Sequence, residues 1–329
     1  MILIIVTFMK SPITIWYLKW YYWYKNFGDE LLVLGVIQYL FMHNPLEKLY
    51  IEVEDAARCK TRLDRHSTVI GDLLSKVEFV EKHHRFRVAR FLWCSPHIHK
   101  FIGGWEVFAP VRGWFHGGGN LFFLLLPSLL RRNVTLLGGY SRAIWYFDKF
   151  VHYLTFKFCR QCVCREETSY KYVIDTIGFT PKVILYEDFA KTVVDSLSLS
   201  ILSENELFSI TWLHCPYILV NANPYIDIYW LTDVVKTEVW RLGVSRVVYI
   251  LWDKEDAGVW GVLIDIFWHE NVTVFDWTKY DIVSTMSVIS HAESVIAIRL
   301  HIIATAHWLW IPCRYIVYQE KIKKFFNHE

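Results

Sequence analysis

The sequence predicts an α/β protein with two Rossmann-like parallel-sheet domains that face a cleft. Strand-like apolar runs alternate with helix-like stretches along the whole chain, which is typical of parallel α/β layers rather than of a sandwich or a bundle. The chain has 329 residues, of which 54% are hydrophobic, so it is about two domains long and can fill two cores. We expect chemistry in the cleft, between the carboxyl ends of the strands.

The first predicted domain covers residues 1–195 and the second covers residues 196–329. Helices are predicted at residues 30–42 and 142–156 of the first domain, and between each pair of strands in the second. A polar, serine-bearing stretch at residues 196–206 is the predicted linker. The predicted strands of the first domain are residues 18–23, 48–53, 112–115, 133–137, 161–164 and 182–186. Those of the second are residues 217–221, 246–252, 272–276, 294–298 and 314–318.

Composition narrows the class of partner. The formal net charge is +2 and most basic residues are spread along the chain, so no nucleic-acid partner is expected. No run reaches the roughly 18 to 20 apolar residues that a membrane-spanning helix needs. The 16 Trp and 19 Tyr leave a peripheral membrane contact open. Seven cysteines without a disulfide-framework spacing suit a reducing compartment, which favours a cytoplasmic location.

One local cysteine cluster raises the question of a metal. Cys159, Cys162 and Cys164 could supply three thiolates to zinc or to an iron–sulfur centre. No fourth ligand is evident, and the same residues read well as a buried strand. We therefore expect neither a metal nor another cofactor.

The most informative motif is Arg299-Leu300-His301. A buried parallel strand is predicted just before it and an apolar helix just after it, so the motif lies in a strand-to-helix turn. Ligands bind at this edge of open α/β sheets, and a helix N-terminus favours an anion. Arg299 could hold that anion and His301 could transfer a proton. The alternative is a salt-bridged arginine and a structural histidine.

A second strand-to-helix turn lies near the N-terminus. Asn26 and Gly28 suit a tight turn, and Asp29 suits the N-cap position of an apolar helix. A third turn carries Gly117, Gly118 and Gly119, followed by Asn120. Three consecutive glycines let backbone amides approach a phosphate or a sugar, although the lysine of a P-loop is missing.

Two further cations follow predicted strands. Arg165 opens the segment Arg-Glu-Glu-Thr-Ser, in which Thr168 or Ser169 could simply cap a helix. Lys321 follows the last predicted strand, where it could bind a second anionic group or remain solvated. The shared placement of these signals at strand carboxyl ends favours a functional site.

Taken in order, these segments resemble the polysaccharide pyruvyltransferase family, in particular its exopolysaccharide-assembly branch. The resemblance rests on Asn26 to Asp29, Gly117 to Gly119, Arg165 to Ser169, Arg299 to His301, and Tyr318 to Lys321. It implies a fold similar to glycosyltransferase type B. It also implies transfer of pyruvate from phosphoenolpyruvate to a sugar as a ketal, in the biosynthesis of a cell-surface glycan.

The resemblance implies a role for each motif. His301 would be the catalytic acid, with Arg299 beside it, and the donor would be bound by Arg165, Arg299, Leu300 and Lys321. The acceptor side would be shaped by Asn26, Asp29, Gly117, Gly118, Gly119 and Asn120. The acceptor would be a sugar, an oligosaccharide or a lipid-linked glycan. Because phosphoenolpyruvate is a cytosolic metabolite, the protein would work in the cytoplasm, at the inner face of the membrane if it touches one.

Two other functions are compatible with the same fold. A glycosyltransferase with a nucleotide-sugar donor would also need a cationic site for its diphosphate, and it predicts tight nucleotide binding. A non-catalytic glycan-binding protein is suggested by the aromatic richness. It predicts that His301→Ala leaves glycan binding intact and that no phosphate is released from phosphoenolpyruvate.

Overall fold

The computed structural model describes residues 15–20, 27–43, 47–81, 98–108, 134–140, 142–143, 146–223, 225–251, 256–267, 271–316, 322 and 325–326. Helices and strands alternate through these residues, as predicted. The strands are β1 Ile15–Trp20, β2 Lys48–Val53, β3 Val77–Glu81, β4 His99–Phe108, β5 Val134–Tyr140, β6 Gln161–Cys164, β7 Val183–Leu185, β8 Tyr217–Asn221, β9 Val247–Leu251, β10 Val272–Asp276, β11 Ala292–Ala297 and β12 Cys313–Tyr315. The helices are α1 Phe27–His43, α2 Ala56–Asp64, α3 Ser67–Ile70, α4 Tyr146–Phe158, α5 Glu167–Ile177, α6 Phe189–Leu197, α7 Glu204–Thr211, α8 Ile228–Leu242, α9 Ala257–Phe267, α10 Ile282–Ser290 and α11 Leu300–Trp308.

The strands form two sheets, and every described strand pairing is parallel. The first sheet has the order β3-β2-β1-β4-β5-β6-β7, and the second has the order β10-β9-β8-β11-β12. In each sheet the strand order reverses once, beside β1 in the first and beside β8 in the second. Ligands of doubly wound sheets bind outside the strand carboxyl ends at such a reversal.

Each sheet contains an inner strand that is buried on both faces, as expected where helices cover both sides. All seven residues of β5 and all five of β8 are buried. The helices α4 and α5 pack against the first sheet around Phe156 and Val173. The helices α8 and α9 pack against the second around Val235 and Leu263.

The chain divides into two units. The first unit comprises residues 1–22, 37–60 and 72–187, and the second comprises residues 23–36, 61–71 and 188–329. The first part of α1, the end of α2 and all of α3 therefore belong to the second unit, with the second sheet.

Several strands have the predicted bounds, namely β2, β6, β8 and β10. The predicted linker at residues 196–206 holds the end of α6, a short 3-10 helix at Ser198–Ser200 and the start of α7. Ser203 begins α7 with a capping box, since its hydroxyl accepts from the Glu206 N–H while Glu206 accepts from the Ser203 N–H. The strand predicted at residues 112–115 lies outside the described residues.

Candidate active site

The Arg-Leu-His motif lies at the carboxyl end of β11. Arg299 has extended backbone geometry at the N-cap of α11, and Leu300 and His301 form the first turn of the helix. The strand and the helix meet as predicted, although the helix starts two residues earlier than expected. The Arg299 Nη2 donates to Asp256 Oδ1 at 3.0 Å, and Asp256 is fully buried. A buried carboxylate thus orients the arginine.

Asp256 is itself placed by the neighbouring strand. The hydroxyl of Tyr249, in β9, lies 3.1 Å from the Asp256 carbonyl oxygen and 2.9 Å from that of Ala222. Burial raises the pKa of Tyr249, so its hydroxyl stays protonated and can donate. The Tyr249 side chain therefore helps to fix the backbone that follows β8, at Ala222, and the backbone that follows β9, at Asp256.

The reversal of strand order in the second sheet falls at this same place. Asn221, the last residue of β8, is paired in register with Ala297, the last residue of β11. The Asn221 Nδ2 donates to the Ile250 carbonyl oxygen at 3.3 Å. Its Oδ1 is buried and has no hydrogen-bond partner in the described part of the chain, and the same holds for the Arg299 Nε. Two polar atoms at the reversal point are therefore available for a ligand.

The N-terminal motif contacts His301 directly. A Cβ built on Gly28 would lie 1.8 Å from the His301 Nδ1 and 2.1 Å from its Cγ. The first turn of α1 and the imidazole ring are thus so close that only glycine fits between them. Two motifs that are separated by most of the chain come together inside the second unit.

The first turn of α1 differs in detail from its prediction. The helix begins at Phe27, so Asp29 lies within its first turn rather than at its N-cap. A carboxylate in this position is favoured by the helix dipole. The next residue, Glu30, is buried and belongs to a cluster of charged side chains that the sequence did not reveal.

That cluster joins Glu30 to Arg62 and His66. Arg62 Nε and Nη2 donate to the two Glu30 carboxylate oxygens at 2.8 and 2.9 Å. His66 Nε2 lies 2.8 Å from Glu30 Oε2, and His66 Nδ1 lies 3.2 Å from the backbone N of Ile282. The sequence does indicate one member of this cluster, because a glutamate such as Glu30 in a helix as apolar as α1 needs a polar or charged partner.

Arg165 lies at a similar junction in the first unit. It follows β6, is buried, and its backbone N–H donates to the Gly138 carbonyl oxygen of β5 at 3.4 Å. Ser169, four residues later, accepts from the Tyr140 N–H at 2.7 Å and donates to Glu166 Oε1 at 2.8 Å. Ser169 therefore ties α5 to the end of β5 and does not cap the helix, whose N-cap residue is Glu166.

Several predicted site residues lie outside the described residues, namely Asn26, Gly117, Gly118, Gly119, Asn120 and Lys321. Of the predicted set, the structure brings together Arg299, Leu300, His301 and Asp29, with Gly28, in the second unit. Arg165 is described in the first unit. The sequence did not point to Asp256 or Asn221.

The cysteine cluster is compact and buried. The Cys159 and Cys162 sulfurs are 3.1 Å apart, and both thiols are buried. Burial raises the pKa of Cys164 to about 12, which keeps this third thiol protonated. In the described residues no three His, Cys, Asp or Glu side chains are grouped so that they could hold a metal ion.

Sequence comparison identifies the family. The profile of the family described as polysaccharide pyruvyl transferase matches residues 26–320, which is nearly the whole chain. The chain belongs to the polysaccharide pyruvyl transferase family. The match includes each motif from Asn26 to Arg299–His301, so the expected family is confirmed. No curated protein matches this pyruvyl transferase family member in sequence.

Solved structures confirm the fold class of this pyruvyl transferase family member. UDP-GlcNAc 2-epimerase from Neisseria meningitidis, bound to UDP-GlcNAc, has a TM-score of 0.64 at 13% identity, over 95% of this chain and 85% of that one. The epimerase from Methanocaldococcus jannaschii gives 0.62 at 9% identity, over 95% and 86%. HepE from Anabaena, in complex with UDP-glucose, gives 0.52 at 9% identity, over 93% and 82%. The chain thus has the predicted Rossmann-like domains, similar to glycosyltransferase type B.

Across the residues that the structure describes, no helix combines the length and the apolar character needed to span a bilayer.

Proposed function

We propose that this protein transfers pyruvate from phosphoenolpyruvate to a sugar of a polysaccharide or glycan precursor, forming a cyclic ketal. The observation that carries the proposal is the placement of Arg299 and His301. They lie at the carboxyl end of β11, where the strand order of the second sheet reverses. Membership of the pyruvyl transferase family supports the same reaction.

The donor would be bound as an anion. Its phosphate or carboxylate would be neutralised by the guanidinium of Arg299, which presents parallel N–H donors to such groups. Asp256 holds one side of this guanidinium at 3.0 Å, whereas the buried Nε has no partner in the described residues. The backbone at Leu300, the first residue of α11, would add amide donors of a helix N-terminus. Arg165 and Lys321 would contact the remaining charge.

The chemistry requires one proton donor. His301 would protonate the methylene carbon of the enol, which becomes a methyl group and leaves a cation at C2. A sugar hydroxyl then attacks C2 and loses its proton. When the C2–O bond to phosphate breaks, a second hydroxyl of the same sugar closes the ketal ring and loses its proton. One of these two protons returns His301 to its starting state, and the other leaves with inorganic phosphate.

The acceptor would lie on the side of the glycine-rich loop. Gly117, Gly118, Gly119 and Asn120 would approach the sugar with backbone amides and an amide side chain, and Asn26 and Asp29 would bond its hydroxyls. The acceptor would be a sugar, an oligosaccharide or a lipid-linked glycan in an exopolysaccharide pathway. The proposed location is the cytoplasm, at the inner face of the membrane for a lipid-linked acceptor, because the donor is cytosolic. The reaction needs neither a metal nor another cofactor.

The test is ligand-induced thermal stabilisation. A ligand that binds only the folded state stabilises it by about 2.7 kcal/mol at 100 times its dissociation constant. We expect phosphoenolpyruvate to raise the melting temperature of the wild type and of Arg58→Ala, a control that removes an exposed arginine of α2. The rise should disappear in Arg299→Ala. With an acceptor present, His301→Gln should retain donor binding and lose phosphate release.

Other outcomes identify the other candidates. Stabilisation by a nucleotide sugar alone would assign the chain to the glycosyltransferases. If neither ligand stabilises the protein, the glycan-binding alternative is the next to test. That alternative holds if His301→Gln binds glycan as the wild type does and neither protein releases phosphate.

A further inference from the structure

The second unit contains a buried ionic network that the proposed reaction does not use. Glu30, Arg62 and His66 are only 1%, 6% and 1% exposed. They come from α1, from α2 and from the turn before α3, and they meet through the hydrogen bonds of 2.8 to 2.9 Å given above. Buried charges are costly unless each one is paired, and here the carboxylate faces three donors.

The geometry assigns the protonation state of His66. Its Nδ1 accepts from the backbone N–H of Ile282, so the ring proton lies on Nε2 and is donated to Glu30. The network is therefore one carboxylate, one guanidinium and one neutral imidazole, with no net charge. His66 links the first turn of α1 to the N-terminus of α10.

Arg62 extends the network to the second sheet. Its Nη1 donates to the carbonyl oxygen of Thr278, which follows β10, and its guanidinium lies 4.6 Å from the centre of the Trp277 ring. Trp277 in turn packs edge-to-face on Phe27, with ring centres 5.8 Å apart. The first turn of α1 is thus held at Phe27 by an aromatic contact and at Glu30 by the ionic network.

Gly28 lies between these two anchors, and it is the residue that touches the His301 ring. A shift of the first turn of α1 would therefore either press on the imidazole or open a gap beside it. In contrast, Gly35, two turns further on, is held against the Phe189 carbonyl oxygen, so the far part of the same helix has a separate anchor. The network controls the end of α1 that carries Gly28.

We propose that Glu30, Arg62 and His66 are positioning residues that set the place of the His301 imidazole through the backbone of Gly28. The inference deepens the proposed function, because it names what fixes the proposed acid. None of the three needs to touch the substrate. A misplacement of about 1 Å at a reacting group can reduce a rate by about 100-fold, so such a network has a kinetic consequence.

Two substitutions at one residue separate positioning from stability. In His66→Asn the amide oxygen can take the place of Nδ1 and keep the bond to Ile282, while the bond to Glu30 is lost. In His66→Gln the amide nitrogen can take the place of Nε2 and keep the bond to Glu30, while the bond to Ile282 is lost. Both variants lose one buried hydrogen bond, so a purely structural role predicts similar behaviour of the two.

The primary readout does not depend on catalysis. We would record the imidazole NMR signals of histidine-labelled protein, with the His301 signal assigned by its absence in His301→Gln. The expected result is a displaced His301 signal in His66→Asn and a wild-type signal in His66→Gln. With phosphoenolpyruvate and acceptor, kcat should fall about 10- to 100-fold in His66→Asn alone, with little change in KM for the donor.

The possible outcomes separate a failure of the positioning role from a failure of the proposed pyruvyl transfer. A folded His66→Asn with a wild-type His301 signal, or equal displacement in both variants, would overturn the positioning role. A displaced signal in His66→Asn alone, in a protein without pyruvyl transfer activity, would retain the positioning role and reject the function. If His66→Asn does not fold, Arg62→Lys replaces it, since it keeps the charge beside Glu30 but loses the two-pronged geometry. A wild-type His301 signal in Arg62→Lys would likewise overturn the inference.

Discussion

Two strand-to-helix junctions have the same order of strand, arginine and helix, but they are stabilised by different interactions. At the first, β6 leads through Arg165 into α5, and at the second, β11 leads through Arg299 into α11. In each the arginine lies one or two residues after the end of a buried strand. The first junction is held by hydrogen bonds of Ser169, whereas the second combines the Arg299–Asp256 ion pair with a helix turn that has no side chain at Gly28.

The difference shows what each junction requires. Hydrogen bonds between uncharged groups fix a helix at little electrostatic cost. Examples are the bond of Ser169 with the Tyr140 N–H and the bonds of Tyr172 with His152 and the Ala143 N–H. Charged pairs in a buried place are costly, and they rarely add stability over apolar packing. Their presence beside His301 suits a site in which one imidazole must be placed with precision.

The largest effect should come from a methyl group at the second junction. In Gly28→Ala the new Cβ would overlap the His301 ring at 1.8 Å, so the ring or the helix must move. We expect loss of pyruvyl transfer by at least about 100-fold, and destabilisation of about 1 to 3 kcal/mol from overpacking. Urea unfolding and phosphate release measure the two effects.

Gly258→Ala is the matched control. It lies in the first turn of α9, and apart from its chain neighbours and the helix backbone no atom of the described residues lies within 4 Å of the Cβ that it would gain. Alanine is the better helix former by about 1 kcal/mol, so this variant should be as stable as the wild type or more so. Wild-type activity in Gly28→Ala would contradict the contact with His301 and remove the distinction between the junctions.

The second-largest expected effect tests whether the first junction depends on an uncharged His152 imidazole beside α5. Burial lowers the pKa of His152 from 6.5 to about 4, and its Nδ1 lies 2.7 Å from the Tyr172 hydroxyl of α5. Between these two values the unfolded chain binds a proton that the folded chain does not, so stability falls as the pH falls below about 6.5. The loss from this group should reach about 2 to 3 kcal/mol near pH 4.5.

The measurement compares urea unfolding of the wild type and of His152→Asn at about pH 7.5 and about pH 4.5. The amide oxygen can still accept from Tyr172 but does not titrate. The wild type should lose about 2 to 3 kcal/mol more than the variant on acidification. Equal losses would mean that His152 is not held neutral, and the contrast with the ionic junction would weaken.

How far the sequence predicts this molecule depends on whether a feature is local. Alternating apolar runs predicted the parallel strands, and the Arg-Leu-His spacing predicted the β11–α11 junction, because both patterns lie within a few residues. The partners of that junction are remote: Asp256 is 43 residues from Arg299, and the His66 bond to Ile282 spans 216 residues. Such pairs leave no periodic pattern, since one folded arrangement creates them.

The limits of local patterns also show at helix starts. Asp29 and Ser169 are residue types that favour caps, and both were considered as caps, yet each lies inside its helix. Tertiary contacts that the local sequence does not show are made near both helix starts. Phe27 packs on Trp277, and Ser169 accepts from the Tyr140 N–H. The polar stretch at residues 196–206 was predicted as a linker because of its composition. Within this stretch Ser196 and Ser198 donate to carbonyl oxygens of α6, and the Leu202 N–H donates to the Ser287 hydroxyl of α10.

The smallest effect concerns the single side chain that joins α5 to β5. Ser169→Ala removes the acceptor of the buried Tyr140 N–H and the donor to Glu166. Leaving a buried backbone donor unsatisfied costs about 1 to 3 kcal/mol, which urea unfolding can detect. The control is Ser209→Ala, which removes an exposed hydroxyl of α7 that donates to the Glu206 carbonyl oxygen and should change stability by less than about 0.5 kcal/mol.

Because the Ser169 hydrogen bonds lie at the first junction, the His301 NMR signal of Ser169→Ala should stay at its wild-type position. A displaced His301 signal in Ser169→Ala would mean that the two junctions are coupled, and the contrast drawn between them would then describe one shared network.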